Sequence, residues 1–117
     1  MTPINWSFFC STYNVMAHLL PAGTRFEVPA NGKKKYTAII PLAGGKSRRV
    51  GFGHRDYQQY ADQVPVGLGG GRWTHKNHYD EARRKSYRAR HGGILCKGVP
   101  CIGLAYSPAW FSYHYLW

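Results

Sequence analysis

The chain has 117 residues, with 16 Lys and Arg against 5 Asp and Glu, a formal charge of +11, and 44% hydrophobic and 15% aromatic content. That length holds one compact domain and excludes two, and the charge calls for an acidic or polyanionic partner: nucleic acid, a membrane surface or an acidic protein face. The few scattered acids, with no nucleophile beside an evident base, argue against catalysis, so neither an enzymatic activity nor a cofactor is expected.

Residues 1–23 read as an apolar, aromatic arm closed by Pro21-Ala22-Gly23, with residues 24–117 as a single small domain. The arm is the nearest approach to a membrane span. Asn5, Ser7, Ser11, Asn14 and His18 interrupt it, so any membrane contact would come from a segment lying on the surface. The Met1 start also lacks the basic region and clean apolar run of a secretory signal. Three strands follow. "TRFEVPA" puts Phe26 and Val28 on one face, Asn31-Gly32 signals a hairpin, and "KYTAIIPL" alternates Tyr36, Ala38 and Ile40. "AGGKS" turns the chain, and "RRVGFGH" returns with Val50 and Phe52 on one face. The spacing of Tyr57, Tyr60 and Ala61 predicts a helical turn in "RDYQQYADQ", and "VPVGLGGGRW" reads as a flexible glycine-rich loop.

The main helix is predicted over residues 78–91, with Asn77 as N-cap, Asp80 and Glu81 in the first turn, and Gly92-Gly93 as the stop. "ILCKGVPCIGLAY" is an irregular apolar connector. In "SPAWFSYHYLW", Ser107 followed by Pro108 fits an N-cap with Pro at N1, while the alternation of Phe111, Tyr113, Tyr115 and Trp117 keeps a strand open. The fold class is α+β: a small antiparallel meander, one main helix, and aromatic segments at both ends.

Sites that invite chemistry mostly fail on spacing. Gly45-Lys46-Ser47 ends like a phosphate loop, but Ile40 stands where the first glycine belongs, and a strand follows in place of a helix. His75, His78, His91, Cys96 and Cys101 lack the close ligand pairs of structural zinc, so no metal is expected. With Cys10, the thiols number three, an odd count that suits a reducing compartment; a Cys96–Cys101 disulfide would belong to an oxidising particle.

On an ideal helix Asp80, Arg83, Tyr87, Arg90 and His91 share a face, which reads as an internal hydrogen-bonded brace, since planar Arg pairs with carboxylate and stacks on rings. Arg84, Lys85 and Arg88 fall on the remaining side. Together with Lys33, Lys34 and Lys35 they are the candidate polyanion-binding residues. The aromatic residues Trp6, Phe8, Phe9, Trp110, Phe111, Tyr113 and Trp117 are the candidate partner-contact anchors.

These residues carry a resemblance. Phe52-Gly53 ends a strand, Tyr57 and Tyr60 follow, then His78-x-Asp80-x-x-Arg83, Tyr87 and Arg90-His91, and finally Trp110-Phe111-Ser112 with Leu116-Trp117. Over residues 34–117 the chain resembles a family of small basic proteins encoded by large and giant double-stranded DNA viruses. Residues 1–33 have no counterpart in the pattern, and similar proteins continue past the position of Trp117. The resemblance implies a virion-associated minor capsid protein, assembled in the host cytoplasm. Its implied partners are the major capsid protein and other minor capsid proteins. A basic nucleic-acid-binding virion protein is the alternative.

Overall fold

The structure is a computed structural model, and it describes residues 20–117. Trp6, Phe8 and Phe9, with most of the expected arm, lie outside the described residues. Strands β1 (Arg25–Glu27), β2 (Lys34–Pro41) and β3 (Ser47–His54) form an antiparallel sheet in the order β1-β2-β3. Phe26 lies opposite Ala38, Ala38 opposite Val50, and Tyr36 opposite Phe52. Period-two alternation therefore places all five on one face, which the helix over Pro108–Tyr115 covers.

The core is Phe26, Tyr36, Ala38, Ile40, Val50 and Phe52 from the sheet, Val64 from the following loop, and Trp110, Phe111, Tyr115 and Leu116 from the chain's end. It is built from rings. Phe52 stacks on Phe111 at 5.1 Å, and Phe26 meets Tyr36, Phe52 and Phe111 edge-on at 5.9–6.2 Å. Such pairs add about 0.5–1.5 kcal/mol each beyond their area burial.

Helix α1 spans Glu81–Gly92 and helix α2 Pro108–Tyr115; between them β4 (Leu95–Cys96) and β5 (Val99–Pro100) make a small hairpin. The α+β class stands, with two helices and antiparallel sheets. At the second helix Ser107 Oγ accepts from Trp110 N at 3.1 Å, and Pro108 takes the first helical position. The strand alternative is thereby displaced. Once the segment is helical, Trp110 and Phe111 point into the core, 5% and 0% exposed. They are not partner anchors.

Three further expectations change. Residues 55–64 form no helix, because their peptide groups pair with remote chain. Ala61 N and Gln63 N donate to Leu116 O and Tyr115 O, and Gln59 exchanges main-chain bonds with Lys76 and His78. The glycine-rich loop is a packed one: a Cβ on Gly69 would sit 2.1 Å from Phe26 O, and one on Gly70 1.9 Å from Val64 O. Only glycine lets the backbone lie that close. Finally, Cys96 and Cys101 are joined as a disulfide that staples β4 to β5 and its flanking turn. A loop this short gives a chain-entropy contribution of about 2 kcal/mol. Reduction with dithiothreitol is expected to lower the denaturation midpoint correspondingly; an unchanged midpoint would show that the staple holds nothing.

Candidate functional site

Helix α1 begins later than the sequence pattern suggests. Tyr79 adopts a left-handed φ of 54°, and Asp80 is the cap, its Oδ1 accepting from Ala82 N at 2.9 Å and Arg83 N at 3.2 Å. Asn77, the expected cap, instead turns inward. Its Oδ1 accepts from Asp62 N at 2.7 Å and Gln59 Nε2 at 2.6 Å. There it joins a polar hub. The Asp62 carboxylate accepts from Tyr36 Oη (2.6 Å), Trp73 N (2.9 Å) and Val64 N (3.1 Å), and Trp73 Nε1 donates to Lys35 O at 2.9 Å.

Lys35 belongs to this hub and not to a polyanion-binding surface. It is 2% exposed, and its ammonium donates to Tyr57 O and Gln59 Oε1. Burial, reinforced by the neighbouring charge of Lys76 and opposed by Asp62, lowers its pKa to about 8. The folded value lies below the unfolded one. The unfolded chain therefore holds a proton that the native state releases, and stability rises with pH from about 8 towards 10. Urea midpoints should climb across that window in the native protein and stay flat in Lys35→Met. Above pH 10 Tyr36 opposes the rise, because burial and its bond to Asp62 raise its pKa. On the acid side, burial lowers His78, His91 and His114, so stability falls as pH drops below 6.5.

The proposed brace does not form as one hydrogen-bonded unit. Asp80 caps the helix, Arg83 Nη1 reaches out to Gln58 Oε1 at 2.9 Å, and Arg90 is exposed. Tyr87 and His91 stack on each other at 4.0 Å, and Tyr87 lies parallel to Trp117 at 4.2 Å. The side of α1 expected to face solvent also holds the body. Arg84 Nε and Arg88 Nη2 donate to the Trp117 main-chain oxygen at 2.9 and 3.1 Å. Their guanidinium groups also cover the rings of Tyr60 (4.5 Å) and Tyr113 (4.9 Å). Tyr113 and Trp117 are thus partly buried by intramolecular partners, while Lys33, Lys34 and Lys85 remain exposed.

Among the described residues, two surfaces stand out for a partner. One is a cleft of about 740 Å³ between α1 and the β2/β3 end, lined by Lys34, His54, Tyr57, Arg83, Arg90 and His91, with Asp56 as its acid. Sequence reasoning singles out His91 but not His54, Tyr57 or Gln58 as site residues; Tyr57 and Gln58 reach the cleft only through the 55–64 loop. The other is the stapled hairpin, which exposes Ile94, Leu95, Val99 and Leu104 by 42–62%. Among the described residues, no three His, Cys, Asp or Glu side chains come together around a metal position. No described helix is long and apolar enough to cross a membrane. No family model, curated protein or solved structure matches the chain.

Proposed function

We propose that the protein is a minor capsid protein of a large double-stranded DNA virus. It cements neighbouring capsid subunits by binding them and performs no reaction. The observation that carries this reading is the pairing of two unlike contact surfaces on one helix-led unit. The cationic cleft includes Arg90 and His91 at the end of α1, and the apolar, disulfide-stapled hairpin starts four residues beyond His91. A protein partner can meet both, one by charge and one by apolar burial. The viral family pattern supports the same reading. Its residues here set the helix frame: His78 Nδ1 accepts from Asp80 N at 2.9 Å, Asp80 caps, and Tyr87 and His91 stack.

The decisive experiment is a mass-spectrometric inventory of purified particles together with a density map of the shell. The expected result is a fixed copy number, with capsid subunits against the hairpin and the cleft. Absence from purified particles would overturn the proposal.

A further inference from the structure

We infer that the cleft beside α1 binds an extended acidic segment of a partner protein, with its carboxylates on Arg83, Arg90 and Lys34. Four cations line this cleft against one acid, Asp56, and one of the four, Lys35, is already held by Tyr57 O and Gln59 Oε1. Arg83, Arg90 and Lys34 are uncommitted in a way that Arg84 and Arg88 are not. Arg84 and Arg88 hold the Trp117 oxygen and lie over rings, so the shallower hollow they share with Glu81 and Lys85 has little left to offer a ligand. Arg83 is bonded only to the neutral amide oxygen of Gln58, which a carboxylate would displace, and Arg90 and Lys34 have no ion pair among the described residues.

Spacing selects a chain over a single ion. Arg83 and Arg90 stand two turns apart on α1, roughly 10 Å along its axis. One small anion cannot reach both, whereas about three residues of extended polypeptide cover that distance. Arg offers a planar fork that suits carboxylate in two-point contact. Two features favour a peptide over a nucleic acid. Single-stranded nucleic acid is held on open aromatic faces; in the cleft wall Tyr87 is covered on one side by His91 and on the other by Trp117, and Tyr57 has one face covered by His54 at 4.5 Å. Asp56 repels carboxylate and phosphate alike, but a peptide backbone offers it N–H donors that a sugar–phosphate backbone lacks.

The test uses the full chain with its disulfide intact, and fluorescence anisotropy with a labelled oligo-glutamate peptide or a labelled oligothymidylate of equal charge. The peptide should bind more tightly than the oligothymidylate. Arg83→Gln/Arg90→Gln should weaken peptide binding at least about tenfold, and Lys34→Gln should weaken it less but measurably. Lys46→Gln/Arg48→Gln, which removes the same charge from the start of β3, should change it less than about twofold. All three cleft residues are exposed, so unaltered melting temperatures will confirm intact folding. Equal weakening by the two double variants would overturn the inference, reducing binding to net charge. Tighter oligothymidylate binding that is lost in the cleft variant would also overturn it and make the cleft a nucleic-acid site. The choice of a capsid subunit as partner rests on the proposal above, and the two fail separately. Peptide binding without particle residence sinks only the capsid assignment; particle residence without peptide binding sinks only the cleft.

Discussion

Replacing Asp62 with alanine is expected to destabilise the protein by about 3 kcal/mol, a loss of roughly 10–20 °C in melting temperature for a domain of this size. Three donors converge on that carboxylate: the Tyr36 hydroxyl, Trp73 N and Val64 N. Removing the acceptor leaves all of them in a partly buried site, where each unsatisfied group costs about 1–3 kcal/mol before water reaches it. The loss should also spread. Asp62 fixes Tyr36, whose hydroxyl accepts from Arg72 N at 3.0 Å, and so it ties the glycine-rich loop to the sheet. Asp62→Asn keeps the shape and one acceptor but turns an amide N–H towards at least one donor, so it should fall between alanine and the native residue. Tyr36→Phe should cost about 2 kcal/mol, since it removes two bonds, the one to Asp62 and the one from Arg72 N, and keeps the ring that packs on Phe52 at 5.8 Å. Chemical denaturation of the four proteins checks the order. A cost below about 1 kcal/mol for Asp62→Ala would show that solvent already satisfies these donors.

That hub was hidden in the sequence, and the reason is physical. The strands were legible because one face of the sheet is buried, so Phe26, Tyr36, Ala38, Val50 and Phe52 advertise their register by alternation. The cap of α2 was legible because Ser107-Pro108 acts within one turn. Residues 55–64 were not, because Tyr57, Tyr60 and Ala61 mimic helical spacing while their peptides bond to α2 and to residues 76–79, contacts that exist only after the chain has folded. Lys35 looked like the end of a cationic run. Strand alternation turns it to the face opposite Tyr36, and there the 57–59 loop supplies its two acceptors. The cleft was half legible. Of the five residues the helix pattern groups, Arg83, Tyr87, Arg90 and His91 line the cleft and Asp80 does not; whether that side met the body or the solvent depended on where Trp117 arrived, and no local signal sets that.

The same ambiguity yields the sharpest test of the helix. Arg84→Ala is expected to cost about 2 kcal/mol, roughly 10 °C, while Arg83→Ala stays within about 0.5 kcal/mol. Arg84 gives up a charged hydrogen bond to the Trp117 oxygen and its position over Tyr60, and it also releases Glu81, whose carboxylate is held by the Tyr60 hydroxyl as well. The Glu81 pair adds little because it is exposed. The guanidinium over the ring and the bond to the Trp117 main-chain oxygen supply most of the effect. Arg84→Lys should recover only part of the loss, since a point charge on a flexible stem cannot lie flat on Tyr60 and also donate to Trp117. A cycle with Tyr60→Leu separates the two contributions: a coupling near 1 kcal/mol assigns that share to the ring, and no coupling assigns the whole effect to Trp117. Equal shifts for Arg83→Ala and Arg84→Ala would mean that both sides of α1 hold the body. Arg83 would then be unavailable to a partner, and the cleft would lose one of its cations to the fold.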